Sequence, residues 1–240
     1  MTTLLHLDSS ASPAADSVTR QLTERFVAAW RAAHHEPGDR GRDRSRYLYR
    51  DLSADPVPLI SGAYASLGQR VERLGGVALG KVAAVAEGAA EEREWALTLP
   101  LVEQLRSADT VLLGVPMYNF TVSAALKAWI DRISFPGAYG DVARGASVLR
   151  DTRFVLLMAR GGAYGPGTPR EGCDFQTPYL RAYFTQMLGV PAENLHFVAA
   201  EMTRAWDIPA LARFQDLAVS SRRRADDLSS DLAAICQKRP

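Results

Sequence analysis

Apolar positions along the 240-residue chain follow two alternating rhythms. Short unbroken apolar runs suit strands buried on both faces, and three- and four-residue spacing marks one face of a helix. Residues 4–7 predict a first strand, and Val18, Leu22, Phe26, Trp30 and Ala33 predict the helix after it. Residues 47–52 predict a second strand, ended by the turn segment Asp55-Pro56-Val57-Pro58. A helix over residues 95–108 has Leu97, Leu101, Leu105 and Ala108 on one side. The run 111–115 predicts a third strand, followed by a helix holding Val122, Leu126, Trp129, Ile130 and Ile133. A fourth strand at 154–159, a helix at 179–188, a fifth strand at 195–199 and a polar-faced helix from about Pro209 complete the pattern. Such alternation predicts an α/β fold, a doubly wound five-stranded parallel sheet with helices on both faces.

Residues 61–92 break the rhythm, with many Gly and Ala and weak periodicity. They predict short helices or partial disorder, inserted after the second strand. The stretch 37–46 reads as an exposed loop, because its acids are interleaved with its arginines and so speak against a nucleic-acid patch. No repeat or domain-sized linker interrupts the chain, which predicts one domain over residues 1–240.

Charge and composition narrow the function more than the fold. Net charge is +1, so no overall field draws the chain to nucleic acid or an anionic membrane. The apolar runs are too short to span a bilayer, and the N-terminus has no basic, long-apolar leader pattern. Cys173 and Cys236 stand in unrelated contexts, which argues against a disulfide framework and for a reducing, cytoplasmic setting. The four histidines do not cluster, so neither a metal site nor a Ser/His/Asp triad is predicted. Asp51 and Asp131 are each isolated, giving no paired-carboxylate site.

Three unusual segments each follow a predicted strand directly, and ligands of open parallel sheets bind beyond the carboxyl ends of the strands. The first segment, residues 8–19, offers hydroxyls and free N–H groups at a helix N-terminus, which suits a phosphate monoester. Ser17 and Thr19 are its expected donors, with Ser10 reaching in from the strand end. Plain N-capping by Asp16 or Ser17 is the alternative, and Asp16 is expected to face solvent. Neither the Walker A pattern nor Gly-x-Gly-x-x-Gly is present. In the second segment, Met117, Tyr118 and Phe120 suit a planar ring, and Asn119 suits the edge of a heterocycle. Core packing is the alternative for the aromatics. The third, Ala159-Arg160-Gly161-Gly162, places glycines where backbone can approach a ligand, a bare turn being the alternative.

With these loops in view, the sequence resembles the FMN-dependent NADH-azoreductase family within the flavodoxin-like quinone reductases. The resemblance rests on Pro116-Met117-Tyr118-Asn119-Phe120 followed by Leu126-Lys127. Asp51-Leu52, Pro56 with Pro58, Arg160-Gly161-Gly162, Thr177-Pro178-Tyr179-Leu180 and Leu188-Gly189 add to it in order. It implies FMN held by Ser10, Ser17, Val18, Thr19, Met117, Tyr118, Asn119, Phe120, Ala159, Arg160, Gly161 and Gly162, with no side chain as obligatory acid or base. It also implies NADH or NADPH as donor, a quinone or azo compound as acceptor, ping-pong turnover, and a homodimer. Apolar surface on the helix around residues 126–133 adds to the dimer expectation. Members often have Gln where Val18 stands, so only the Val18 N–H is expected to serve the phosphate. Residues 61–92 and 135–150 depart from the family pattern. That departure leaves room for a reductase specialised for one natural aromatic or quinone metabolite. A flavodoxin-type electron carrier is a further alternative, though such carriers tend to be smaller and acidic.

Overall fold

The computed structural model describes residues 2–34, 45–141 and 146–236. Positions 37–44 of the predicted exposed loop, and His35, lie outside those residues. In chain order the elements are β1 (Thr2–Asp8), α1 (Val18–His34), β2 (Ser45–Asp51), α2 (Gly62–Arg73), α3 (Ala89–Arg106), β3 (Thr110–Pro116) and α4 (Ala124–Ile133). There follow β4 (Gly140–Asp141), β5 (Ala146–Ser147), β6 (Arg153–Ala159), α5 (Gln176–Ala182), β7 (Leu195–Ala200) and α6 (Gln215–Ile235). The five long strands form one parallel sheet in the order β2-β1-β3-β6-β7.

Successive strand residues point to opposite faces, and each face has its own core. Leu5, Leu7, Val111, Leu113, Phe154 and Leu156 pack with Leu101 and Leu105 of α3 and with Trp129 and Ile130 of α4. Leu4, Leu112, Val155 and Leu157 pack on the other side with Leu22, Phe26 and Trp30 of α1 and with Ala225 and Ala233 of α6. Burial on both faces explains why these strands read as unbroken apolar runs. The strand order reverses between β1 and β3, because the chain leaves β1 for β2 on one side and then crosses back to β3. The carboxyl ends of β1 and β3 therefore border the crevice where an open sheet binds its ligand.

All five predicted strands are present, each within two residues of the predicted ends. The helical regions differ more. Residues 62–73 form a full helix, α2, in which Ser61 caps the end by accepting the Ala63 N–H at 3.2 Å. Its buried face is Tyr64, Leu67, Gly68 and Val71, at regular helical spacing. Gly68 hides that stripe from a hydrophobicity reading, although a Cβ there would meet Pro136 at 3.5 Å. Helix α3 starts at Ala89, and its inner face is Trp95, Thr98, Leu101, Val102 and Leu105, with Leu97 exposed. Leu97 was expected on the inner side, so the helix is rotated from that reading. Helix α5 covers only Gln176–Ala182 before a π turn over Tyr183–Met187, and a 3₁₀ turn over Pro209–Phe214 precedes α6. The β4–β5 ribbon, unforeseen, lies within the divergent stretch 135–150.

Leu126, Ala128, Trp129, Ile130 and Ile133 are all buried within the chain's own core. The apolar face of α4 is therefore not the surface that was expected to support a dimer. Among the described residues no helix is long and apolar enough to cross a membrane.

Candidate functional site

A cavity of about 630 Å³ opens beyond the carboxyl ends of β1, β3, β6 and β7. Eleven of the twelve site residues named from the sequence line it: Ser10, Ser17, Val18, Thr19, Met117, Tyr118, Asn119, Phe120, Ala159, Gly161 and Gly162. Arg160 is the exception.

One end of the cavity is built to hold an anion. Ser10, Ser17 and Thr19 are buried there, with Ser17 Oγ 2.9 Å from Ser10 Oγ and 3.0 Å from Thr19 Oγ1. Ser17 also caps α1, since its carbonyl accepts the Gln21 N–H at 3.0 Å and its hydroxyl accepts the Arg20 N–H at 3.4 Å. Val18 and Thr19 stand at the first two helical positions, where an N–H has no intrahelical acceptor. Capping and anion binding are thus compatible here, because the cap takes one N–H and leaves two. Asp16 is exposed yet lines the same wall.

The other end is flat and aromatic. Tyr118 and Thr121 exchange two backbone hydrogen bonds of 3.0 Å each, closing a tight turn whose central residues are Asn119 (φ 49°) and Phe120 (φ 69°). Two positive φ values make this a type I′ turn, which suits Asn but strains Phe by roughly 1–2 kcal/mol. The strain is stored where Asn119 and Phe120 face the cavity. The Asn119 carboxamide is exposed and has no protein partner among the described residues. Tyr118 Oη accepts the Ala11 N–H at 3.1 Å, and the Met117 N–H donates to Ala159 O at 2.9 Å, so the three loops are tied together.

Arg160 points away from the cavity. Its guanidinium meets Asp174 Oδ2 at 3.0 Å, Glu201 Oε1 at 3.2 Å and Gln176 Oε1 at 3.3 Å. Buried Gln176 then donates to Pro116 O at 3.1 Å, which couples the rim after β6 to the end of β3. Burial alone would push the Asp174 carboxyl up, but Thr177 and Arg160 outweigh it and hold the carboxyl below its usual range.

Arg20, which sequence reasoning missed, shapes the anion end from behind. Its Nη2 donates to Ser10 O at 2.8 Å and its Nε to Ser12 O at 3.1 Å. Those two carbonyls, which would repel a phosphate, are thereby turned toward the guanidinium. Asp51 holds Arg20 at 2.8 and 2.9 Å, and Asp8 Oδ2 lies 3.6 Å from it. Two carboxylates offset one guanidinium, so Arg20 contributes orientation more than net field. Asp51 is therefore not isolated, as its sequence context suggested, and Asp131 pairs with Lys127. Tyr49 donates to Asp8 at 3.2 Å, and burial together with Asp8 and Asp51 pushes its phenol up to about 12. His6 lies 2.9 Å from Tyr47 Oη and 3.3 Å from Asp8, a structural role in the same cluster. No cluster of metal-ligating residues occurs among the described residues.

The segment after β7 was missed too. Thr203, Arg204, Asp207, Ile208 and Leu211 line the cavity. The rule that singled out the loops after three strands applies equally to this one, and would have found it.

A sheet in this order, with its cavity at the β1–β3 switch point, defines the flavodoxin-like class. A family model described as Flavodoxin-like fold matches residues 2–217. The chain belongs to this family, beside relatives described as FMN-dependent NADH:quinone oxidoreductases. It is 39% identical over 212 residues to an FMN-dependent NADH:quinone oxidoreductase of Nocardia farcinica, covering 88% of each chain. A relative of the same description from Streptomyces coelicolor is 37% identical over 94% of this chain and 90% of its own. The crystal structure of an azoreductase from Bacillus anthracis str. Sterne superposes with a TM-score of 0.74 at 22% identity, over 98% of this chain and 100% of that one. At that identity the likeness shows the shared fold.

Proposed function

We propose that the chain binds one FMN and passes electrons from NADH or NADPH to quinones or azo compounds. The observation that carries this is the two-ended cavity. Hydroxyls and unpartnered N–H groups at the α1 N-terminus suit a phosphate, and an aromatic turn with a free carboxamide suits a flat heterocycle. FMN has those two ends, and its ring supplies the hydride chemistry when bound. Ser10, Ser17 and Thr19 with the Val18 N–H would hold the phosphate. Met117, Tyr118 and Phe120 would pack on the ring, and Asn119 with the Gly161 and Gly162 N–H groups would bond its edge. Ala159 is part of the wall beneath, and Arg160 braces that wall through Gln176. No side chain is assigned an obligatory proton transfer.

Donor and acceptor would stack on one ring face in turn, so turnover is ping-pong. Initial-rate plots against NADH at several 1,4-naphthoquinone concentrations should be parallel lines. Intersecting lines would require both substrates bound together and contradict the single face.

The chain is further proposed to work as one FMN-binding domain and as a homodimer in the cytoplasm. Exposed Leu59 (77%), Ile60, Phe175 and Met187 supply apolar surface for association, now that α4 does not. Free Cys173 and Cys236 suit a reducing compartment. Light scattering should report twice the 26.2 kDa chain mass. A 26.2 kDa particle at micromolar concentration would contradict the dimer, and recovery from the culture medium would contradict the location.

A further inference from the structure

We propose that Arg170 and Arg204 form an anion-recognising subsite at the mouth of the cavity. Its ligand is a carboxylate, sulfonate or phosphate carried by the aromatic molecule that stacks there, and the proposal rests on the flavin reading above.

Gly161 and Gly162 show how the subsite is built. A Cβ on Gly161 would lie 3.2 Å from Arg204 Cδ and 3.3 Å from its Cγ. A Cβ on Gly162 would lie 3.4 Å from Arg170 Cδ and 3.6 Å from Tyr164 Oη. Each glycine therefore seats the stem of one arginine, and the two arginines reach the same dipeptide from different segments. Both line the cavity. The room left by the missing side chains is used by these stems rather than left open.

The charges of the two guanidiniums are poorly met. Arg170 has no carboxylate within ion-pair distance among the described residues, and its guanidinium lies 5.2 Å from the centre of the Phe120 ring. Arg204 has one long contact, 3.8 Å to Asp207, between side chains more than half exposed, where water screens most of the attraction. Arg160, one residue before the glycines, is the contrast, since Asp174 and Glu201 meet its charge in full. Two carboxylates line the cavity as well: Asp207, whose long contact to Arg204 is largely screened, and Asp16, which precedes α1 and forms no ion pair among the described residues. A planar guanidinium matches the oxygens of a carboxylate, sulfonate or phosphate, and an adjoining aromatic face matches a ring. Phe120, Ile208 and Leu211 provide the apolar part of that surface. The ligand class is thus an aromatic molecule with an anionic group beside its ring.

The test uses the flavin-loaded protein and 2-naphthoate, which has no redox chemistry here, against neutral 2-naphthamide. Binding of each is titrated by the change it makes in the flavin absorbance. The native protein should bind the naphthoate about tenfold more tightly, a charge-assisted preference that shrinks at high salt. In the double variant Arg170→Gln, Arg204→Gln that preference should fall to near one. The KM for NADH, measured in parallel, tells an acceptor's anion from the donor's diphosphate. A tenfold rise in that KM with no naphthoate preference in the native protein would keep the subsite and assign it to the donor. Flavin-loaded protein with neither a naphthoate preference nor a change in the KM for NADH overturns the subsite alone. Protein that takes up no flavin fails at the earlier step, so the two readings are separable.

Discussion

Replacing Arg20 with alanine should raise the dissociation constant for FMN by about a hundredfold, while riboflavin affinity moves by less than about threefold. The guanidinium holds the Ser10 and Ser12 carbonyls away from the anion end. Without it, both carbonyls are free to turn toward the phosphate, and Asp8 and Asp51 lose their cation beside a dianionic ligand. A hundredfold is about 2.7 kcal/mol, a little under the roughly 3–5 kcal/mol for breaking a fully buried pair from one side, as suits a pair in which Asp51 keeps some exposure. Riboflavin lacks the phosphate, so it reports whether the ring end of the site still stands. Fluorescence titration of the apoprotein with each ligand makes the comparison, and equal losses for both would mean general damage to the fold. Acid should act on the same staple. Burial alone would raise the Asp51 carboxyl, but its bonds to Arg20, Ala54 and Ser53 outweigh that and hold it low. The ion pair is therefore complete above about pH 4 and is lost as the pH falls through the lowered value. The Arg20–Asp51 pair should therefore be intact from about pH 5 to 8, and a change in FMN retention within that range would report the second ionisation of the phosphate, at about pH 6, rather than the pair.

Gly114→Val should lower the melting temperature by about 10 °C, from roughly 3 kcal/mol of overpacking. Gly114 lies in the middle of the sheet, paired with Asp8 of β1. A Cβ there would fall well inside contact distance of Asp8 Oδ1 and 3.1 Å from Thr23 Cγ2. Asp8 cannot yield cheaply, because Thr23 Oγ1 and Tyr49 Oη donate to it at 3.1 and 3.2 Å. Its movement would carry Arg20 along, so FMN affinity should fall as well. Gly62→Ala is the control, at a position with nothing within 4 Å of the added carbon, and should leave the melting curve nearly unchanged. Similar melting for both variants would mean that β3 tolerates a side chain beside Asp8.

The sheet was legible in the sequence because β1, β3 and β6 are covered on both faces, leaving unbroken apolar runs between polar loops. Helix α2 was not, since Gly68 occupies a position on its buried face and interrupts the apolar stripe. Leu97 shows the opposite error, an apolar residue at plausible spacing that faces solvent while Trp95 and Thr98 turn inward. Within the cavity, the loops after β1, β3 and β6 could be read from their hydroxyls, aromatics and glycines. Arg20 could not. It works through bonds to backbone carbonyls, which have no sequence pattern, and from a turn of α1 that otherwise reads as ordinary helix. Arg160 stood among the flavin contacts that the family resemblance implied. Its side chain instead braces Asp174, Gln176 and Glu201 beneath the rim. Arg170 and Arg204 were hidden for a related reason, since only the folded chain brings them to Gly161 and Gly162.

The most direct test is the flavin itself. Protein purified and, if colourless, incubated with excess FMN and desalted should be yellow and release one equivalent of FMN on heating. Addition of NADH without acceptor should then bleach the bound flavin, and a quinone should restore the colour. Release of FAD, or failure to retain FMN, would contradict the account of the cavity at its root.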